Sequence, residues 1–167
     1  NEPTQVPVLD ENNLAVAEYP TIFSDVPDCD FIRVGGTYYM VSTTMNLCPG
    51  VPIMKSTDLV NWQICNYVYD ALPDLDRNNL ENGQQMYSNG SWAAAIRYNE
   101  ETKLFYVIFN VNGGGFFCYT TDDVEHGEWT GYHIDASFHD PALLFDNGNM
   151  YVIYSGATIQ QLELEDG

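Results

Sequence analysis

The chain has 167 residues, 45% of them hydrophobic, which is enough for one substantial core and too many for a disordered segment. Its 24 acidic residues against 5 basic ones give a formal net charge of −19, which repels nucleic-acid phosphates and anionic membrane surfaces. Apolar runs such as Phe105–Val111, already interrupted by Asn110, fall far below the ~20 residues a membrane-spanning helix needs. Neither nucleic acid nor membrane is therefore an expected partner.

Residues 1–19 mix short apolar scraps with Glu, Asp, Asn, Gln and two prolines, with no period of 2 or 3.6, and read as a lead-in segment. They carry none of the basic, apolar and small-residue regions of a signal peptide; with the acidic composition, this leads us to expect a secreted or periplasmic protein whose leader has been removed. Residues 20–167 change character. Short runs rich in Tyr, Phe, Val, Ile and Thr, bounded by Gly, Asn, Asp and Pro, predict an all-β domain. Strands are expected at Phe31–Val34, Tyr38–Thr43, Val51–Lys55, Ala94–Tyr98, Leu104–Asn110, Phe116–Thr121, Ala142–Phe145, Met150–Tyr154 and Ile159–Leu164. The acidic stretch Tyr67–Leu80 reads as a long loop with at most one helical turn.

The strands recur in a fixed order. The run from Asp28 to Val41, Trp92–Tyr98 followed by Leu104–Ile108, and Asp140–Ile153 share a polar or aromatic residue heading an apolar strand, a turn, and a strand with Tyr ahead of β-branched residues. The matching tyrosines Tyr39, Tyr106 and Tyr151 lie 67 and 45 residues apart. The second half of the unit recurs as Ser56-Thr-Asp-Leu-Val-Asn-Trp62 and as Thr120-Thr-Asp-Asp, which reaches Trp129 after a short insertion. Such a period predicts a β-propeller of four-stranded blades, of which this length supplies about two and a half, whereas rings close with typically 4–8. Either the chain is the N-terminal part of a larger protein, or copies associate to cover the open faces and edges.

The first strand of a blade starts at the rim of a central funnel. Asp28, Trp92 and Asp140 head the three first strands, and two carboxylates beside an indole suit acid–base work on a sugar packed against an aromatic face. The alternative is that both aspartates merely cap backbone N–H groups in turns. Other chemistry finds less support. The four cysteines, spaced 19, 17 and 53 apart without a CxxC pair, read as buried free thiols. His126, His133 and His139 lack a ligand spacing and read as surface or structural residues. Gly113–Gly115 has no lysine and no following helix to make a phosphate cradle. Trp62 and Trp129 read as blade packing, and Glu163 and Glu165, alternating with Leu162 and Leu164, as a solvent face.

The runs Val26-Pro-Asp-Cys-Asp, Pro49-Gly-Val-Pro, Asp58-Leu-Val-Asn-Trp62, Trp92-Ala-Ala and His139-Asp-Pro-Ala together resemble glycoside hydrolase family 43. That resemblance implies a five-bladed propeller with an inverting α-L-arabinofuranosidase or β-xylosidase activity on plant-cell-wall glycans, hence an oligo- or polysaccharide as substrate. It implies Asp28 as the general base and Asp140 as the residue tuning the pKa of the general acid, itself a Glu of the fourth-blade region. It also implies Met45 and Asn46, with Trp92, as substrate-binding residues at the pocket rim. Cys29 and Ala94 stand where the family has prolines, which frees two turns without removing a catalytic group. No cofactor is expected: calcium in the central channel is compatible with the resemblance, but no ligand cluster in the sequence supports it. The competing reading is a non-catalytic glycan-binding propeller fragment, or one that associates with itself or with the missing C-terminal part.

Overall fold

The computed structural model describes residues 9–16, 20–45, 48–73 and 75–165. Its strands form three antiparallel meanders. The first contains β1 (Asp30–Val34), β2 (Thr37–Val41), β3 (Gly50–Ser56) and β4 (Gln63–Tyr69). The second contains β5 (Ser91–Asn99), β6 (Leu104–Val111), β7 (Gly115–Thr121) and β8 (Thr130–Ile134). The third contains β9 (Ala142–Asp146), β10 (Asn149–Tyr154) and β11 (Thr158–Leu162). No helix occurs among the described residues. Because β1 packs beside β5 and β5 beside β9, the first strand of every sheet lies at the hub. The architecture is that of a propeller with two complete blades and most of a third.

All nine expected strands are present, and two more, β4 and β8, close the outer edges of the first two blades. Their local signals are weak. In β4 Asn66 interrupts a half-exposed run, and β8 is five mostly exposed residues that include Gly131. Only pairing with β3 and β7 makes strands of them. The long loop expected from Tyr67 accordingly begins later, since Tyr67 pairs with Pro52 and Tyr69 with Gly50. A Cβ at Gly50 would collide with the Tyr69 ring, which gives the Pro-Gly-Val-Pro run its glycine.

Register makes the repeats superimposable. Asp30 pairs with Val41, Ala95 with Ile108 and Ala142 with Ile153, so the three tyrosines Tyr39, Tyr106 and Tyr151 are true equivalents. The second half of the unit matches one residue further on than expected. Tyr38 pairs with Ser56 and Phe105 with Thr121, so Ser56 corresponds to Thr121 and Asp58 to Asp123. Both aspartates make the same turn: Asp58 Oδ1 accepts the N–H groups of Val60 and Asn61 at 2.8 Å, and Asp123 Oδ1 those of Glu125 and His126 at 3.1 Å. Burial alone would raise the Asp58 carboxyl, but hydrogen bonds from Asn61, Val60 and Ser56 outweigh it and hold it down at about 2.

The middle blade is covered on both faces, which explains why β6 and β7 read as near-continuous apolar runs. Along β6, Phe105, Val107, Phe109 and Val111 face the first blade and join Val41, Ile53, Val68 and Tyr69 in one core. The alternate residues Tyr106 and Ile108 join Leu143, Met150, Val152 and Phe138 of the third-blade region in another. Phe109, fully buried, stacks on Tyr69, Phe117 and Tyr119 with ring centroids 5.5–5.7 Å apart. The turn after β7 also reaches back to the first blade. Glu125 pairs with Lys55 and accepts a hydrogen bond from Tyr39 Oη at 2.9 Å, while Asn66 Nδ2 donates to the carbonyls of Val124 and Gly127. Lys55 holds the Glu125 carboxyl below its ordinary value, and burial with the Glu125 contact pushes the Tyr39 phenol up to about 12.

Two outcomes follow for stability. Phe109→Ala should cost about 3–5 kcal/mol in urea unfolding, because the ring leaves a cavity between two sheets that cannot collapse. Glu125→Gln should be less stable than the parent at neutral pH. A carboxylate whose folded value is depressed stabilises above its unfolded value of about 4.3 and loses that contribution as pH falls through the folded one, so the gap between the two proteins should narrow below pH 4. Parallel thermal unfolding between pH 3 and 7 reads that convergence.

Candidate functional site

The hub ends of β1, β5 and β9 share a backbone feature. The chain turns through a positive φ at Asp28 (51°) and Asp140 (49°), each two residues before its strand begins to pair, and at Ala93 (46°), which lies within β5 two residues before regular pairing resumes at Ala95. Left-handed backbone at a non-glycine residue is uncommon, and its recurrence in three blades marks a built corner. This corrects the expected alignment of the indole with the two carboxylates. Ala93, not Trp92, is the second-blade equivalent of Asp28 and Asp140; Trp92 corresponds to Pro27 and His139. The backbone confirms it: Thr43 N–H donates to Pro27 O at 3.1 Å, Ser155 N–H donates to His139 O at 2.8 Å, and Asn110 pairs with Trp92. The Trp92 side chain is half-buried, and its Nε1 is buried without a hydrogen-bond partner among the described residues.

Asp28 and Asp140 thus occupy the same corner in the first and third blades, and both side chains are exposed. Asp28 Oδ2 accepts the hydroxyl of Thr43 at 2.8 Å. Asp140 lies 3.6 Å from the Nε2 of His139. Neither aspartate caps a neighbouring N–H among these contacts in the way Asp58 and Asp123 do. Met45 is exposed in the link between β2 and β3, and Asn46 lies outside the described residues.

The second blade is strapped to the first directly beneath Asp28. Thr44 and Ser91 exchange backbone hydrogen bonds of 2.9 Å, and Tyr69 Oη and Ser91 Oγ share one of 2.5 Å. A Cβ at Gly90 would run into the Thr44 carbonyl, so the close approach of the two chains requires glycine there. Thr43 Oγ1 accepts the Ala93 N–H at 2.9 Å. The equivalent Asn110 of the second blade does the same for the third, donating from Nδ2 to Phe138 O and accepting the Phe138 N–H at 2.9 Å. Sequence reasoning missed Thr43 and Asn110; the available signal was a polar residue (Thr43, Asn110, Ser155) at the equivalent place near the end of the second strand of each blade.

The remaining candidates stand apart from this corner. The ring of His133 stacks on Phe117 with centroids 4.5 Å apart and hydrogen-bonds Gly114 O, whereas His126 is exposed. Gly113 and Gly114 form the turn between β6 and β7. Trp129 packs against the first core, and Trp62 donates from Nε1 to Leu59 O at 3.2 Å. Glu163 and Glu165 are exposed beyond the end of β11, the third strand out from the hub, while Leu162 and Leu164 pack inward. Of the four free cysteines only Cys118 is buried, contrary to the expected burial of all; Cys29 is exposed. Among the described residues no three His, Cys, Asp or Glu side chains gather to hold a metal ion. A cavity of about 520 Å³ lies between β8 and the residues after β11, and one of about 220 Å³ lies over the outer face of the first blade; neither is lined by Asp28 or Asp140.

A propeller whose inner rim carries carboxylates from separate blades is the architecture of carbohydrate-active enzymes such as those the chain resembles. Residues 17–165 match the profile of Glycosyl hydrolases family 43, and the chain belongs to that family. It is 32% identical over 150 residues to a beta-xylosidase of Formosa agariphila, covering 85% of this chain and 24% of that protein. It is 33% identical over 139 residues to the non-reducing end alpha-L-arabinofuranosidase BoGH43B of Bacteroides ovatus, covering 80% and 25%. Among solved structures it superimposes with a TM-score of 0.80 and 43% identity on a bifunctional GH43-CE protein of Bacteroides eggerthii, covering 89% of this chain and 21% of that one. The chain therefore spans about a quarter of the length of the curated relatives it matches. The fold is that of the five-bladed propellers of this family.

Thiol reactivity should report the corner. Brief treatment of the native protein with a thiol reagent should label Cys29, next to Asp28, first and leave Cys118 unmodified, because burial pushes the Cys118 thiol up to about 12 and removes it from solvent. Peptide mass mapping after a time course reads the order.

Proposed function

We propose that the protein to which this chain belongs hydrolyses glycosidic bonds of plant-cell-wall glycans, releasing xylose or arabinofuranose units with inversion, and that Asp28 is its general base and Asp140 the residue that tunes its general acid. The single observation behind the assignment is the shared corner: two exposed aspartates at equivalent, left-handed positions heading the hub strands of the first and third blades. The substrate class follows the beta-xylosidase and arabinofuranosidase activities named for the relatives. An inverting hydrolase keeps its acid and base ~6.5–9.5 Å apart so that a water fits beneath the anomeric carbon. Asp28, open to solvent, would take the proton of that water as it attacks. The acid would be a glutamate beyond these blades, since Glu163 and Glu165 lie at an outer strand. Asp140 would keep that glutamate protonated through like-charge repulsion. Trp92, Met45 and Asn46 are proposed to line the sugar site, and export to the periplasm or medium suits a polymeric substrate.

The full-length protein, assayed with 4-nitrophenyl β-xyloside and α-L-arabinofuranoside, tests this. Asp28→Asn should lower kcat by about 10²–10⁴ with the fold unchanged. Asp140→Asn should move the alkaline limb of the kcat profile to lower pH, because removing a neighbouring negative charge lets the acid lose its proton earlier. Full turnover in Asp28→Asn removes it as base. Retention on arabinoxylan without turnover by the parent protein would favour the glycan-binding reading, and a retained anomeric configuration in the product would exclude inversion.

A further inference from the structure

We propose that Thr43 is a positioning residue for Asp28, and that it orients the carboxylate by relaying a constraint from the neighbouring blade; the inference rests on Asp28 being the base. Thr43 is 5% exposed and tied at three points. Its N–H donates to Pro27 O at 3.1 Å, its Oγ1 accepts the Ala93 N–H at 2.9 Å, and its hydroxyl donates to Asp28 Oδ2 at 2.8 Å. The direction of these bonds is forced. A backbone N–H only donates and an ionised carboxylate only accepts, so the single hydroxyl proton has to lie on the Asp28 side. Ala93 in turn sits at a φ of 46°, in a strand strapped to the first blade by the paired backbones of Thr44 and Ser91.

Asp28 is otherwise an exposed side chain on a corner, free to rotate about two torsions. With Oδ2 committed to a buried, immobile hydroxyl, the carboxylate plane is set and Oδ1 is left for a water. A base needs such fixity, since displacement of a reacting group by about 1 Å can cost 10²-fold in rate. The equivalent position in the second blade, Asn110, spends both ends of its amide on the Phe138 backbone, and the second-blade corner residue is Ala93, which offers no carboxylate to orient. The third blade has Ser155 and Asp140 at these two positions, but among the described contacts the Ser155 N–H bonds His139 O and Asp140 faces His139, so the hydroxyl-to-carboxylate link is made in the first blade.

The experiment is kinetics of Thr43→Val, Thr43→Ala, Thr43→Ser and the Asp28→Ala and double variants of the full-length protein on 4-nitrophenyl pentosides. Thr43→Val should lower kcat about ten- to hundredfold with KM within about threefold, and Thr43→Ser, which keeps both bonds, should recover most of it. Thr43→Ala leaves room for water at the Ala93 N–H and should show the same loss if the valine variant folds poorly. In the Asp28→Ala background the Thr43 substitution should cost nothing further, because the group it orients is gone. Unchanged kcat in Thr43→Val and Thr43→Ala, or losses that multiply in the double variant, overturn the positioning role alone. Full turnover in Asp28→Ala overturns the base assignment and the positioning role with it.

Discussion

The stack of the first two blades rests on one packed seam, the sheet-to-sheet contact in which Phe109 lies among Tyr69, Phe117 and Tyr119. A four-stranded meander standing alone would expose its apolar face to water. Burying that face against the next blade removes the apolar surface that would otherwise drive aggregation. The second blade has apolar residues on both faces of β6, so it is held on either side and becomes the rigid reference for its neighbours. Everything at the hub inherits its geometry from this stacking, because the corners of β1, β5 and β9 are brought side by side only when the sheets are.

Polar links then fix what apolar packing leaves free. Apolar contact is non-directional and tolerates a few degrees of rotation between sheets, whereas hydrogen bonds do not. The Thr44–Ser91 bridge and the Thr43–Ala93 bond register the first blade on the second, and Asn110 repeats the device for the third with an amide in place of a hydroxyl. At the outer side Glu125, Lys55, Tyr39 and Asn66 close the same seam. The first two blades thus use one equivalent position, at the end of the second strand, as a recurring fastener. In the first blade alone that fastener also touches a carboxylate.

Much of this was legible in the chain. Period-2 runs and turn residues gave nine strands in place, and the tyrosine spacing gave blade equivalence to the residue, because Tyr39, Tyr106 and Tyr151 fill the same pleat opposite Ile32, Arg97 and Leu144. The outer strands β4 and β8 were not legible: largely half-exposed, they show no regular apolar alternation, and hydrogen bonding to an inner neighbour defines them. The pairing of Trp92 with the aspartates erred by one residue because β5 carries an irregularity between Trp92 and Ala95, and no local pattern announces such a bulge.

The sequence by itself determined the class of fold, the family and the identity of the two corner aspartates, since these depend on local hydrophobic alternation and on short motifs contiguous in the chain. Only the tertiary structure decided that Ala93 shares their corner, that Thr43 stands between Ala93 and Asp28, and that Glu125 reaches Lys55 across 70 residues. The Thr43–Ala93 and Glu125–Lys55 links are contacts between blades. Sheet stacking and register create such contacts, and residues that meet only across a seam leave no spacing by which to find one another along the chain.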